Sequence, residues 1–342
     1  MNVIKPPALS QGDTIGVITP STPANVLFRE KHLFGIKVLE EMGFVVKEGS
    51  LTAKATSQGY RAGTPKERAE EFMELIRDDT VKCIITTIGG MNSSSMIPYL
   101  DFEAIRNHPK IFCGFSDITS LHLSILHYSG LSTFYGPAVM ASFGEYPTVV
   151  EGTKESFLAA VSIETKYPRV LSPFPEWSDH FRDAKTDAWR TEKRVYQNND
   201  GPKVLSEGKV TSNIIVANLS TLLTAAGTPY FPDLRGNVLL IETMHASFAS
   251  EERALRHLQL MGVFDIIGGL IIGKPEVLDT QAAPFTHDDL VLEVIGKRNY
   301  PIISNFDCSH TVPMHTIAQM SKVELLAEAE TSSVTVIEPM VV

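Results

Sequence analysis

Short apolar runs that stop at a glycine, proline or serine and hand over to segments of helical period recur as far as Gly130. This alternation constrains the fold more than any other feature of the chain. Thr14 to Thr19 (TIGVIT) is such a run, closed by Pro20, and reads as a buried strand. Leu27 to Met42 places Leu33, Ile36, Leu39 and Met42 at helical spacing and meets Gly43, a C-terminal stop, before a strand over Phe44 to Val46. Thr64-Pro65-Lys66-Glu67 predicts a helix start: Thr64 caps, Pro65 suits the first helical position, and Glu67 completes a capping box. That helix sets Ala69, Phe72 and Ile76 along one side. Lys82 to Ile88 is the next strand, closed by Gly89-Gly90; Lys110 to Gly114 is another, followed by a helix from Ile118 to Tyr128. Strands alternating with amphipathic helices require a parallel sheet covered on both faces, so the fold class is α/β.

The chain has 342 residues, more than one ordinary core holds, and two domains are expected. Residues 1–166 form an N-terminal α/β domain. Residues 167–208 differ in texture, with both tryptophans (Trp177 and Trp189), Pro168, Pro173, Pro175 and many charges, and read as a linker and substrate-side loop. Residues 209–342 form a C-terminal domain. Its strands are Asn237 to Glu242, Leu270 to Ile272 and Pro301 to Phe306. Its helix, near Ser250 to Met261, carries Glu251 and Glu252 in the first turn, where the helix dipole favours them. Val323 to Ala327 and Val334 to Ile337 resemble a terminal hairpin.

A net charge of −10 without a basic run argues against binding a nucleic-acid polymer, which needs cations to neutralise phosphates, but leaves room for a nucleotide-sized substrate. The three cysteines, Cys83, Cys113 and Cys308, have no CxxC spacing, which fits reduced thiols and a cytoplasmic location. The start, MNVIKPPALS, lacks the pattern of a signal peptide, and no apolar run approaches the ~20 residues needed to cross a bilayer.

The segment richest in chemistry is Lys110-Ile-Phe-Cys-Gly-Phe-Ser-Asp-Ile-Thr: an apolar strand, a glycine, a serine, then a helix. Such a turn thrusts Ser116 out above the sheet edge, with N–H groups at the helix start aimed at a reacting carbonyl. Gly114 fits a nucleophile elbow, whereas Ile118 stands where a second glycine is usual; Ser116 or Asp117 could instead simply cap the helix. Glu242 closes the strand Val238-Leu-Leu-Ile, at the edge where ligands gather in α/β sheets, and could orient a histidine. His310 follows another strand, in the loop Asp307-Cys-Ser-His-Thr. The order Ser, acid, His is that of α/β hydrolases. Gly89-Gly90 lacks the rest of a phosphate-binding motif and reads instead as a turn in which Gly90, with the N–H of Asp117, serves an oxyanion hole. Asp307, His310 and His315 are close in sequence, but there is no HExxH and Pro313 interrupts any helix between the histidines, so no metal is expected.

Gly114 to His122 (Gly-Phe-Ser-Asp-Ile-Thr-Ser-Leu-His) resembles the nucleophile segment of the muramoyl-tetrapeptide LD-carboxypeptidases. The closer likeness is to their microcin C self-immunity branch. It is carried by Thr87-Ile-Gly-Gly-Met-Asn-Ser, Pro98-Tyr-Leu-Asp, Tyr135-Gly-Pro, Asn218-Leu-Ser-Thr-Leu, Gly227-Thr-Pro-Tyr, Gly262-Val-Phe-Asp and Gly273-Lys-Pro-Glu, and it runs over about residues 10 to 327. The resemblance implies a serine peptidase with a triad at Ser116, Glu242 and His310, and neither metal nor cofactor. It implies an N-terminal domain like those of class I amidotransferases, a C-terminal α/β domain with a β-rich core, and a homodimer. It further implies substrate contacts at Asn218 and Glu276, to which the Gly89-Gly90 turn adds Gly89, where a bare glycine lets the substrate approach. Trp177 or Trp189 could stack on an aromatic leaving group or merely pack the loop. The implied activity is cleavage of an amide-type bond in a small peptide or a peptidyl- or aminoacyl-nucleotide, as in self-immunity or detoxification. The alternatives are an LD-carboxypeptidase of murein recycling and a non-catalytic binding protein on the same scaffold. The chain departs from the family at Ser309, where glycine is usual, at Val216-Ala-Asn-Leu, and at Ala318-Gln-Met, and these changes bear on substrate preference.

Overall fold

The computed structural model describes residues 3–329 and 331–342. The first sheet has six strands in the order Ile317–Ala318, Phe134–Tyr135, Ile111–Gly114, Val81–Thr86, Thr14–Ile18 and Val45–Glu48. Five of them pair in parallel, as the alternation of apolar runs and helices requires. The sixth, Ile317–Ala318, runs antiparallel and comes from near the far end of the chain. Thr64 opens its helix as expected: its hydroxyl accepts from the Glu67 N–H at 3.2 Å while Glu67 Oε2 accepts from the Thr64 N–H at 2.8 Å. The helix expected from Leu27 to Met42 is divided at Phe28, which leaves helical geometry at φ −132° and ψ 46°. The shorter piece, Ala24–Leu27, carries a buried Asn25 that donates to the Thr52 carbonyl at 2.8 Å.

The second sheet has eight strands: Arg169–Val170, Thr331–Val336, Lys322–Glu328, Gly208–Asn218, Val238–Glu242, Gly269–Gly273, Ile302–Phe306 and Lys203–Ser206. Gly208–Asn218 changes character along its length. Its first half pairs antiparallel with Lys322–Glu328 and its second half parallel with Val238–Glu242. Three parallel pairings, among four strands, therefore sit between antiparallel flanks, which gives the β-rich core of this half.

The two sheets share side chains. One buried cluster joins Val17, Ile85 and Phe115 of the first half to Val216, Leu240 and Phe306 of the second. The helix Thr119–Ser129 is buried nearly all round, as a helix enclosed by packed elements should be, and Leu123 and Leu126 on it pack with Leu219 and Leu222 beyond. The carboxyl ends of strands from both sheets thus open on common ground. Cys83, Cys113 and Cys308 are unpaired and buried, and burial pushes each thiol upward, away from the reactive thiolate. Among the described residues no helix is long and apolar enough to cross a membrane.

Candidate active site

Ser116 follows the strand Ile111–Gly114 after one residue, Phe115, and opens a single tight turn that leads into the helix Thr119–Ser129. Its φ is +64°, in the left-handed region that costs a non-glycine residue about 1–2 kcal/mol. Strain of this kind persists where the surroundings over-determine it. Here the Ser116 N–H donates to the Tyr135 hydroxyl at 3.1 Å. Asp117 ties the turn to the segment after Gly90: its Oδ2 accepts from Ser21 Oγ at 2.7 Å, from the Asn92 N–H at 3.0 Å and from the Ser93 N–H at 2.9 Å. Asp117 therefore does more than cap a helix.

Glu242 is the last residue of Val238–Glu242, and its side chain is fully buried. Three donors converge on it. His310 Nδ1 lies 2.6 Å from Oε2, the Tyr135 hydroxyl donates to Oε1 at 2.5 Å, and Asn218 Nδ2 donates to Oε1 at 3.0 Å. Burial alone would raise this carboxyl, but the charge of His310 and the three donated bonds hold it below its ordinary value. Burial likewise opposes the imidazolium of His310, yet the charge and hydrogen bond of Glu242, with the charge of Glu276, lift it above its ordinary value. Burial and the adjacent Glu242 charge keep Tyr135 a neutral donor. The Phe115 ring meets the His310 ring edge-on at 4.8 Å and packs against the imidazole.

Ser116 and His310 line one cavity of about 300 Å³, with no hydrogen bond closed between them in this conformation. Gly89 and Gly90 form another part of its lining. A side chain at Gly89 would set its Cβ 3.0 Å from Ser116 Cβ and 3.2 Å from the Asp117 nitrogen, filling the space beside the hydroxyl. Gly90 has φ +153°, and a side chain there would run into Ser21 Oγ. Among the described residues no protein acceptor takes the N–H of Gly90 or of Asp117.

The other expected residues divide. Glu276 lines the cavity, its Oε2 has no partner among the described residues, and burial pushes its carboxyl up to about 7. Asn218 does not line it. Its Oδ1 accepts from the Thr221 N–H, the Thr221 hydroxyl and the Ser220 hydroxyl while its amide holds Glu242, so its hydrogen-bonding capacity is spent on positioning the carboxylate. Trp189 is buried against Phe34 and Tyr146, with ring centroids 6.1 and 6.3 Å away, and lies outside the cavity wall. Trp177 sits over the Lys274 ammonium, 5.4 Å from its ring centroid, in a neighbouring depression. Both tryptophans thus pack against groups of the protein in this structure. The segment they belong to does reach the cavity, through His180, Phe181, Arg182 and Arg194. The sequence showed Tyr135 only as part of the Tyr135-Gly-Pro likeness and gave no sign of the arginines; the end position of Tyr135 on Phe134–Tyr135, at the same sheet edge as Ser116, was the available signal for its place beside Glu242.

Asp307 and His315 turn to other work. Asp307 pairs with Lys274 Nζ and also accepts from the Phe174 N–H and Asn199 Nδ2, while His315 stacks on Phe174 and bonds the Ser172 carbonyl. The Lys274–Asp307 pair is buried and anchors the start of the loop that carries His310. Lys274→Met is expected to cost about 3–5 kcal/mol by stranding the Asp307 charge, read as a lower denaturant midpoint with an unchanged slope.

The chain is a two-domain α/β protein in which strands of both sheets end over one cavity, with a serine on the first sheet and a carboxylate–imidazole pair on the second. Residues 15–136 match the LD-carboxypeptidase N-terminal domain and residues 211–325 the LD-carboxypeptidase C-terminal domain, and the chain belongs to the LD-carboxypeptidase family. It is 38% identical over 310 residues to the Microcin C7 self-immunity protein MccF of Escherichia coli, covering 90% of this chain and 89% of the relative. It is 33% identical over 271 residues to a Bacillus subtilis protein named a probable murein peptide carboxypeptidase, covering 78% and 74%. Solved structures of MccF, one in complex with aspartyl sulfamoyl adenosine and one, a mutant, with adenosine monophosphate, superpose with a TM-score of 0.93 at 34% identity, covering 99% of this chain and 100% of theirs.

Proposed function

We propose that the chain is a serine hydrolase of the MccF-like branch that cleaves an amide-type bond in peptidyl- or aminoacyl-nucleotide compounds. The observation that carries this reading is Ser116, held at φ +64° on a strand-to-helix turn and facing the same cavity as a histidine whose other nitrogen is tied to a buried glutamate. In the proposed reaction His310 Nε2 takes the proton of Ser116 as the hydroxyl attacks the carbonyl. Glu242 fixes the tautomer with the proton on Nδ1 and balances the imidazolium that forms. The N–H groups of Gly90 and Asp117 receive the oxyanion. His310 then protonates the departing nitrogen, and water releases the acyl group by the reverse sequence. Glu276, whose Oε2 has no partner among the described residues, lines this cavity and is suited to accept from an ammonium or N–H of the bound substrate. The ligands of the MccF structures, an aminoacyl sulfamoyl nucleoside and a nucleotide, support the nucleotide substrate class.

The likeness to the murein peptide carboxypeptidase supports a second reading, removal of a terminal residue from a murein tetrapeptide. A side-by-side assay separates the two: an aminoacyl phosphoramidate of adenosine is expected to turn over faster than a murein tetrapeptide, and the reverse order would give the second reading. A serine-directed phosphonate is expected to label Ser116. No label and no hydrolysis of either compound, with ligand binding retained, would leave a binding protein.

A further inference from the structure

The cavity shared by Ser116 and His310 includes a group of cations that the hydrolysis scheme does not use. Lys31, on the helix Arg29–Glu41, lines it and is only 8% exposed, yet its ammonium meets no acceptor among the described residues. Arg182 and Arg194 line it too, and both grip one buried carboxylate, Glu145. Arg194 does so through Nε at 2.9 Å and Nη2 at 3.0 Å, and Arg182 through Nη2. Arg182 is 5% exposed and its Nε has no partner among the described residues. Among the described residues, three fixed cations thus have a single carboxylate, Glu145, in hydrogen-bond contact.

The remaining charged groups on the cavity do not cancel this excess. Glu276 is pushed up to about 7 by burial, so much of it is neutral at neutral pH, and Glu242 does not line the cavity, its oxygens being taken by His310, Tyr135 and Asn218. Burial, then the charges of Arg182 and Arg194, bring Lys31 down to about 8, which leaves it mostly protonated at pH 7 and costly to keep without a counter-charge. A buried ammonium without an anion, open to a cavity, is an arrangement that a bound anion completes.

We propose that Lys31, together with Arg182 and Arg194, forms an oxyanion subsite that holds the negative group carried by the departing half of the substrate. This rests on the hydrolase reading above. In either substrate class the acyl half stays on Ser116 while the amine that leaves bears an anion close by, a phosphoryl group in a nucleotide compound or a carboxylate in a terminal amino acid. The subsite therefore selects for a charged leaving half.

Binding to the Ser116→Ala protein tests this without turnover, with AMP, adenosine and N-acetyl-D-alanine as calorimetric probes. AMP is expected to bind at least about tenfold more tightly than adenosine, and Lys31→Met to abolish that difference while leaving adenosine unchanged. Lys31→Arg is expected to restore part of it. The melting temperature without ligand is expected to hold or rise in Lys31→Met, because the change removes an uncompensated buried charge. A Lys31 effect on N-acetyl-D-alanine in place of AMP would keep the anion subsite and assign it to a carboxylate. Equal affinities for AMP and adenosine with no Lys31 effect on N-acetyl-D-alanine, or lower melting in Lys31→Met with no recovery of binding in Lys31→Arg, would overturn the proposal. The hydrolase reading is judged separately, by whether the Ser116→Ala protein loses turnover.

Discussion

Replacing Ser116 with alanine is expected to lower turnover by roughly four to six orders of magnitude and to leave the melting temperature within about 1 °C of the parent. The two halves of this expectation have separate physical grounds. In the proposed reaction the Ser116 hydroxyl forms the acyl bond, so its removal would leave just the transition-state stabilisation proposed for the N–H groups of Gly90 and Asp117. The backbone cost at φ +64° is common to serine and alanine, and the Ser116 hydroxyl makes no hydrogen bond within the protein among the described residues. Nothing that stabilises the fold is therefore lost. The Ser116 N–H, which does bond to Tyr135, remains. Steady-state kinetics on the preferred substrate and calorimetry on the same sample check both halves. Turnover within tenfold of the parent would remove Ser116 from the chemistry, and a large fall in melting temperature would mean that the loss reported on folding.

The parts of this molecule that were legible in the sequence are those fixed by neighbours along the chain. The capping box at Thr64 and Glu67 needs only residues three apart, and it is present with both hydrogen bonds. The strand before Ser116, expected over Lys110 to Gly114, is Ile111–Gly114, and the strand expected to end at Glu242 is Val238–Glu242. The terminal hairpin is there, Lys322–Glu328 with Thr331–Val336, longer at both strands than its apolar residues marked out. These are local patterns of period and punctuation, and tertiary structure had little reason to override them.

What escaped the sequence depends on pairing across long stretches of chain. Ile317–Ala318 extends the first sheet by lying against Phe134–Tyr135, and two residues carry too little pattern to announce a strand. Gly208–Asn218 serves two partners of opposite direction, which no period reveals. The tryptophans drew attention because large aromatics are conspicuous in a polar loop. Trp189, however, found apolar company in Phe34 and Tyr146, where its area is better buried than at a wet cavity. The residues of that loop that reach the cavity include arginines, which in sequence look like solvated charge. Only the fold brings Arg182 and Arg194 to Glu145 and both arginines near Lys31.

Glu242→Gln should lower kcat/KM by about 10⁴-fold and move its acid limb to lower pH, even though the side chain keeps its size. In the parent, Oε2 of Glu242 accepts from His310 Nδ1, which leaves Nε2 free to act as a base toward Ser116. The amide of glutamine accepts from Tyr135 and then presents its NH₂ to the imidazole. Nδ1 must now accept, the proton moves to Nε2, and the ring can no longer take the serine proton. The sign of the pH effect follows from the same contacts. The base works when neutral, so kcat/KM rises as pH climbs through the His310 value. Burial pulls that value down, and the charge and hydrogen bond of Glu242, with Glu276, pull it above the ordinary histidine value. Removing the Glu242 charge leaves burial largely unopposed, so the limb falls. A pH–rate profile of the variant against the parent, with labelling of Ser116 by a phosphonate as a second readout, distinguishes this from simple loss of packing, which would slow the reaction without moving the limb. An unmoved limb together with a rate within tenfold of the parent would show that the carboxylate is an anchor for Tyr135 and Asn218 alone, and would leave His310 without its partner in the proposed chemistry.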